Sequence, residues 1–138
     1  MSIKHLRAKL HGIKVTGSEL NYHGSITLDP AHCNMITIYP LEFVEIWNKN
    51  NGERFSTYVI YGEENSNCCV LNGSAARKCQ LGDELIIAAY EFNECSVLTQ
   101  ISPKILTFNS DNSIFEVLEY RVAIENNKYS FFINKLHL

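Results

Sequence analysis

The sequence lacks the features that define membrane, secreted and nucleic-acid-binding proteins. No apolar run approaches the length of a membrane span, and residues 1–7 contain no apolar signal-peptide core. We therefore expect residues 1–7 to remain in the mature protein. The net charge is −3 and the basic residues form no cluster, whereas phosphate binding requires a concentrated Lys/Arg surface. We expect neither a membrane nor a nucleic acid as a partner.

Cysteine is present but shows no pattern of pairing or metal binding. The sequence contains 5 cysteines, an odd number, and no two of them have the spacing of a zinc or redox motif. The adjacent Cys68 and Cys69 would point to opposite faces of a strand, which suits neither a simple bridge nor a shared metal. With no secretion signal, we interpret all of them as reduced thiols of a cytoplasmic protein without a metal site.

Helix signals are also scarce, and strand signals dominate. A chain of 138 residues is long enough for one domain with a buried core. Many short apolar runs separated by turn residues predict a mainly β protein, in the form of a small closed barrel. One short helix is predicted, with Asp29 as its N-cap and Pro30 at its first position. Residues 37–40 are poor helix formers, which limits its length.

Alternating apolar residues predict the main strands. The first runs over residues 4–16 with a bulge near Gly12, and Lys9 and His11 share one of its faces. Asn51-Gly52 is a strong hairpin signal between strands at residues 41–48 and 53–61. Further strands are predicted at residues 68–71, 84–92 and 105–108.

The returning strand of that hairpin carries a polar face. Alternation puts Arg54 and Tyr58 on one side and Thr57 on the other, with Trp47 just across the hairpin. On their own, these residues are also compatible with a packed strand tyrosine and solvated cations, which are common in strands and on surfaces.

The Gly24-Ser25 pair has a chemistry of its own. The Ser25 hydroxyl lies beside the Gly24 carbonyl, and its attack would convert the amide to an ester; pre-alignment can supply about 7–11 kcal/mol of the barrier. Both residues are also common in turns, so local chemistry favours, by about ten to one, a hairpin corner between residues 10–16 and 26–28.

A family resemblance reverses these odds. Matches run in register without a gap from Leu6 to Asn112. They are Lys9-Leu10-His11, Val15-Thr16, Tyr22 with Gly24-Ser25, Ile46-Trp47-Asn48, Asn51-Gly52, Arg54-Phe55-Ser56-Thr57-Tyr58, Asn72-Gly73, Ala75-Ala76, Gly82-Asp83, Ile86-Ile87-Ala88, Pro103, Phe108 and Asp111-Asn112. On these segments the sequence resembles the pyruvoyl-dependent aspartate alpha-decarboxylases. The resemblance implies a six-stranded double-psi β-barrel over residues 1–114, assembled as a homotetramer with active sites between subunits.

The resemblance also implies a self-made cofactor. The chain would be cut between Gly24 and Ser25, and Ser25 would become a covalently bound pyruvoyl group, so that neither pyridoxal phosphate nor a metal is needed. This group would form a Schiff base with L-aspartate and accept electrons as carbon dioxide leaves. The product is β-alanine, a precursor of pantothenate and coenzyme A. Whether maturation is spontaneous or needs a maturation factor is left open.

The resemblance assigns roles to individual residues. Tyr58 corresponds to the proton donor, and Arg54 and Lys9 correspond to the residues that hold the two substrate carboxylates, one bidentately and one as a point charge. The other residues implied at the substrate are Thr57, which also assists cleavage, and Gly73, Ser74 and Ala75. Those implied to line the site are His11, Tyr22, Trp47, Asn72 and Ile86.

Two departures from the family pattern concern rate and leave the reaction class unchanged. His23 stands where some members carry an acid, and an imidazole could change the cleavage rate or its pH dependence. Ser74 stands where alanine is frequent. Two alternative functions remain: a barrel that binds a small acid without catalysis, and a pyruvoyl decarboxylase of another acidic amino acid. The presence of Ser25, Tyr58 and Arg54 disfavours the first.

Residues 115–138 extend beyond the resemblance. Residues 115–124 and 129–138 are apolar and β-prone, and Asn126-Asn127 lies between them, so an extra hairpin is predicted. We expect this hairpin to pack on the barrel or on another subunit, because its aromatic residues would otherwise be exposed.

Overall fold

The computed structural model describes residues 1–137, so Leu138, the last residue of the predicted hairpin, lies outside it. Ten strands and one α-helix follow one another along the chain. They are β1 (Ser2–Lys14), β2 (Gly17–Glu19), β3 (Ser25–Leu28), α1 (Pro30–Ile36), β4 (Phe43–Asn48), β5 (Arg54–Tyr61), β6 (Cys69–Asn72), β7 (Glu84–Glu94), β8 (Lys104–Phe108), β9 (Ile114–Glu125) and β10 (Lys128–Leu136). Two 3-10 helices span Gly73–Arg77 and Cys95–Thr99. Within residues 1–137, no helix has both the length and the apolar content to cross a membrane.

The strands form one curved, mixed sheet in the order β10-β9-β8-β1-β7-β4-β5-β3-β6-β2. Three neighbouring pairs are parallel: β1 with β8, β2 with β6, and β3 with β5. Parallel neighbours need long crossover connections, which explains why strands distant in sequence lie side by side. The prediction of a mainly β protein with a small double-psi barrel and extra C-terminal strands is confirmed.

The core lies between the inward faces of the barrel strands. Leu10, Ile26, Ile46, Leu71 and Ile87 are fully buried, and each belongs to a strand whose inward residues alternate with outward ones. The inward faces of the central strands are therefore mostly aliphatic, with Thr57 in the middle of β5 as a buried polar exception.

The first strand has the predicted bulge. The pairing of β1 with β7 shifts register between His11 and Ile13, and the intervening Gly12 has a φ of +88°. A second shift, between Leu6 and Ala8, has no signal in the sequence. The bulge at Gly12 keeps Leu10 and Ile13 both inside the core.

The β4–β5 hairpin is confirmed, with one correction to its first strand. Phe43 pairs with Tyr58 and Trp47 with Arg54 across the hairpin. The predicted start at Leu41 is wrong, because Leu41 adopts a left-handed φ of 69° in a turn and only its N–H reaches the sheet, donating to Val59 O at 2.7 Å.

Helix α1 begins as predicted. The Asp29 carboxylate accepts a hydrogen bond from the Ala31 N–H at 2.8 Å, and Pro30 occupies the first turn. The same carboxylate accepts from the N–H groups of Asn65 and Asn67. Burial of Asp29 alone would raise its pKa, but these backbone donors outweigh it and lower the pKa. Asp29 therefore ties α1 to the loop before β6 as an anion.

The C-terminal hairpin is also confirmed. β9 pairs with β10 along its length, and both turn residues, Asn126 and Asn127, have positive φ, as a tight primed turn requires. β9 continues the barrel sheet by pairing with β8. Phe131 and Ile133 are 60% and 52% exposed, so much of the far strand lacks a partner in a single chain.

Candidate functional site

Ser25 opens β3 and lies in a polar network inside the fold. Its side chain is only 1% exposed, and Asn72, its partner across the β3–β6 ladder, donates from Nδ2 to Ser25 Oγ at 2.9 Å. Asn72 Nδ2 also donates to Thr27 Oγ1 at 2.8 Å. The Ser25 hydroxyl donates to His23 O at 3.3 Å. The hydroxyl is therefore fixed on both sides by groups of its own chain.

The hairpin-corner interpretation of Gly24-Ser25 is wrong. β3 pairs with β5 and β6, whereas β1 pairs with β7 and β8. Residues 20–24 instead form a surface loop between β2 and β3, both of which flank β6. The Gly24-Ser25 peptide thus lies where an exposed loop enters a buried strand.

Gly73 packs directly against this peptide. Its φ is +68°, and a Cβ at this position would lie 2.8 Å from Gly24 Cα and 2.9 Å from Tyr22 O. Only glycine allows such an approach without displacing the backbone. Gly73 begins the 3-10 helix that follows β6, so the turn predicted from residues 72–77 forms one wall around the Gly24 peptide.

A cleft of about 140 Å³ opens beside Gly24. Its lining includes four of the predicted residues, namely Gly24, Thr57, Ser74 and Ala75, together with Phe55, Ser56 and Lys78. Thr57 is 8% exposed. The cleft is large enough for a small molecule and lies next to the peptide bond that the resemblance marks for cleavage.

A second group of predicted residues lies in one row across the outer face of the sheet. His11 is the partner of Ile86, Ile86 of Trp47, and Trp47 of Arg54. Register alone brings these four side chains, from β1, β7, β4 and β5, side by side. The sequence predicted the residues individually, and the strand order is what makes them neighbours.

Arg54 is held at the end of this row. Its guanidinium carbon lies 4.7 Å from the centroid of the Trp47 ring, within range of a cation–π interaction. Both residues line a shallow cleft of about 260 Å³ with Glu45, Phe55 and Ser56. Arg54 is exposed, and stacking on Trp47 leaves its N–H donors free to bind a carboxylate.

Lys9 and Tyr58 lie on the same outer face. Lys9 Nζ donates to Tyr120 Oη at 2.9 Å, and Tyr120 belongs to the C-terminal hairpin. The Tyr58 ring packs against Phe43, with centroids 5.9 Å apart. Tyr22 is 57% exposed in the loop before Gly24 and stands apart from this face, next to the His23 ring.

The His11 imidazole is partly buried near Lys9. Burial, followed by the positive charges of Lys9 and Lys49, lowers the pKa of its imidazole. Its Nδ1 has no hydrogen-bond partner within residues 1–137. Burial therefore favours the uncharged form of this imidazole.

The cysteines offer no alternative nucleophile in the interior. Burial raises the pKa of Cys33 to about 12 and that of Cys79 to about 11. It also raises the pKa of Cys69. Because the thiolate is the reactive form, these three residues serve the core.

Apart from Tyr22, the predicted residues fall into two groups in a single chain. The first, around Ser25, contains Gly24, Thr57, Asn72, Gly73, Ser74 and Ala75. The second, on the outer sheet face, contains Lys9, His11, Trp47, Arg54, Tyr58 and Ile86. The clefts beside Gly24 and Arg54 share only Phe55 and Ser56 in their linings.

Two contacts escaped prediction. Thr27 shares the Asn72 amide with Ser25, and Tyr120 holds Lys9. Alternation in β3 indicates that Ser25 and Thr27 share a face, so the sequence contained a signal for the contact of Thr27 with Asn72. The second depends on β9 joining the sheet next to β8, which local sequence does not reveal.

Comparison with known proteins decides the family. Residues 1–115 match the aspartate decarboxylase family. The chain belongs to the aspartate decarboxylase family. The family match ends one residue after β9 begins at Ile114, so nearly all of the C-terminal hairpin lies beyond it.

Relatives in this family cover most of the chain. It is 61% identical to the aspartate 1-decarboxylase of Rhodospirillum centenum over 87% of this chain and 79% of that protein. It is 60% identical to the aspartate 1-decarboxylase of Paramagnetospirillum magneticum over 94% of this chain and 73% of that protein. It is 53% identical to the aspartate 1-decarboxylase of Agrobacterium fabrum over 97% of this chain and 87% of that protein.

Proposed function

We propose that this protein decarboxylates L-aspartate to β-alanine, which supplies pantothenate and coenzyme A synthesis. Membership of the aspartate decarboxylase family supports the reaction. The observation that carries the proposal for this chain is the fixed hydroxyl of Ser25, buried at the end of a loop and hydrogen-bonded to Asn72.

Self-cleavage would use groups of one chain. Ser25 Oγ attacks the Gly24 carbonyl carbon, the C–N bond breaks, and the nitrogen takes a proton, which leaves an ester. Elimination then releases the Gly24 carboxylate and leaves a dehydroalanine, and water converts this to the keto group with release of ammonia. Asn72 orients the hydroxyl, and Gly73 leaves room for the Gly24 backbone to change shape.

The surroundings of Ser25 fit a pyruvoyl group in its place. The donor that now binds Ser25 Oγ, Asn72 Nδ2, would serve a carbonyl oxygen equally well, because amide N–H groups donate to either. Bound there, the group supplies an electron sink for decarboxylation, so the proposal includes neither pyridoxal phosphate nor a metal.

The outer sheet face would bind the substrate. Arg54 presents a planar fork to one carboxylate and Lys9 an ammonium to the other. Tyr58 would return a proton to the substrate carbon after carbon dioxide has left. Trp47 stacks on Arg54 and so limits the orientations of its guanidinium.

We further propose a homotetramer with active sites between subunits. In one chain, the group around Ser25 and the group around Arg54 line different clefts, so a neighbour that brings the two surfaces together would complete the site. Residues 1–114 would form the catalytic barrel and residues 115–138 an accessory hairpin. A cytoplasmic location is part of the same proposal, and the need for a maturation factor is left to experiment.

Mass spectrometry and a product assay test the function together. We expect the purified wild type to consist of residues 1–24 and a longer fragment with a keto-blocked N-terminus, whereas Ser25→Ala remains one chain. With L-aspartate, the wild type should release β-alanine and Ser25→Ala should release none. L-glutamate, longer by one methylene, should react more slowly by about 10–200-fold.

The Ser25 hydroxyl also has a matched control. Ser18→Ala removes a serine hydroxyl from β2, in the same region but away from the scissile peptide, and should leave both cleavage and turnover unchanged. Turnover by an intact chain that retains the Ser25 hydroxyl would refute the proposal.

A further inference from the structure

We propose that Tyr120, in the C-terminal hairpin, is a positioning residue that orients the Lys9 ammonium toward a carboxylate of the substrate. The inference rests on the proposed function, in which Lys9 binds that carboxylate. It assigns a role in substrate binding to a residue that lies beyond the part of the chain matched by the family.

The contact combines two interactions on one cation. Lys9 Nζ donates to Tyr120 Oη at 2.9 Å, and the same Nζ lies 5.0 Å from the centroid of the Tyr120 ring. An ammonium has three N–H donors, so this hydrogen bond leaves two for a ligand. Tyr120 therefore fixes the position of the charge without using up its capacity to bind.

Tyr120 is itself firmly held. Its backbone N–H donates to Pro103 O at 2.8 Å, which fixes β9 at the start of β8. Its ring meets the Phe131 ring of β10 edge to face, with centroids 5.2 Å apart and planes at 83°. A rigid partner of this kind restricts a lysine side chain that would otherwise sample many rotamers.

The charge of Lys9 is also left uncompensated. Among residues 1–137, the ion pairs formed by lysines involve Lys4, Lys49, Lys78 and Lys135, and none involves Lys9. Lys4 offers the contrast, because it too lies over a tyrosine ring, at 4.0 Å from Tyr90, yet it pairs with Glu45. A phenol holds Lys9 where a carboxylate would have neutralised it, as a binding site for an anion requires.

Tyr120→Phe tests this role, because it removes only the oxygen that accepts from Lys9. We expect complete cleavage at Gly24, a KM for L-aspartate raised about tenfold, and a kcat within about twofold of the wild type, since Lys9 is no longer held in position and must lose rotamer freedom when it binds the carboxylate. Succinate, a dicarboxylate without the amine, should bind about tenfold more weakly by calorimetry. Tyr129→Phe, the same change at an exposed position of β10, should alter none of these values.

A double-mutant cycle with Lys9→Met separates positioning from general stability. If Tyr120 acts through Lys9, then Tyr120→Phe should change succinate affinity by less than about twofold once Lys9 is methionine. Equal losses in both backgrounds, or an unchanged KM and succinate affinity in Tyr120→Phe, would overturn the inference. A cleaved wild type that makes no β-alanine would refute the proposed function, and the succinate measurements would still decide the role of Tyr120.

Discussion

The two regions that contain the predicted residues differ in how complete they are within one chain. Around Ser25, the hydroxyl, the Asn72 amide and the Gly73 backbone are buried and satisfy one another. On the outer sheet face, Arg54 is exposed and Lys9 has no carboxylate partner within residues 1–137. Under the proposed function, cleavage would depend on packing within one chain, whereas substrate binding would depend on charges that a ligand or a neighbouring subunit completes.

The largest effect should come from closing the space between Gly73 and Gly24. Gly73→Ala puts a Cβ into left-handed backbone and within 2.8 Å of Gly24 Cα. We expect a loss of about 2–5 kcal/mol in the free energy of unfolding, and slowed cleavage in the protein that folds. Urea denaturation and mass spectrometry measure the two.

Gly52→Ala is the matched control for that change. Gly52 has a similar φ of +76° but nothing within 4 Å of a Cβ. It should cost only the backbone strain, about 1–2 kcal/mol, and leave cleavage intact. Equal effects of the two substitutions would mean that the close approach to Gly24 has no importance.

Removal of a positive charge from the outer sheet face should impair turnover and leave cleavage intact. Arg54→Ala should leave cleavage complete and lower kcat/KM for L-aspartate by about 100-fold, because the substrate carboxylate that Arg54 would bind loses its charged partner. Arg54→Lys keeps the charge but loses the fork, so an intermediate loss is expected. Arg121→Ala, on the C-terminal hairpin, controls for general loss of positive charge. Impaired cleavage in Arg54→Ala would contradict the separation of the two regions.

The smallest effect concerns how pH acts on the interior. His32 is 3% exposed against the Phe108 ring, and burial lowers its pKa, although Asp29 and Asn67 oppose the shift. The unfolded chain therefore binds more protons below the ordinary value of 6.5, so stability should fall as pH drops through that value toward the folded pKa. His32→Gln should make the free energy of unfolding depend less steeply on pH between about 7.5 and 5.5, as measured by urea denaturation.

An exposed histidine provides the comparison for His32. His137→Gln lies at an exposed position and should leave the slope of stability against pH as it is in the wild type. If His32→Gln also kept the wild-type slope, burial of this imidazole would not be the cause of the pH dependence.

The sequence predicted correctly those turns, caps and bulges that depend on only a few adjacent residues. The Asn51-Gly52 turn, the Asp29 N-cap and the bulge at Gly12 each follow from the conformational preferences of a few adjacent residues. The resemblance supplied the list of site residues, but their grouping depends on pairings between distant strands. Alternation states which face a residue occupies, and it does not state which strand lies beside it.

The errors have two origins. Leu41 adopts its left-handed φ as the third residue of a turn, in which Pro40 is the second residue and the Glu42 N–H donates to Tyr39 O at 3.3 Å, so a local turn signal was overlooked there. The three-residue strand β2 exists only because β6 lies beside it. The contact between Lys9 and Tyr120 joins residues 111 positions apart, so no window along the sequence contains it.

Strand β1 lies between β7 and β8 and belongs entirely to the piece upstream of Gly24. Scission would therefore leave the barrel assembled, with the shorter fragment retained as a central strand. Refolding, however, would differ between the two forms. An intact chain refolds in a unimolecular reaction, whereas the two fragments of a cleaved chain must first associate in a bimolecular one. The persistence of the cleaved protein would therefore depend on slow unfolding as well as on its free energy of unfolding. Its recovery after thermal denaturation would depend on protein concentration.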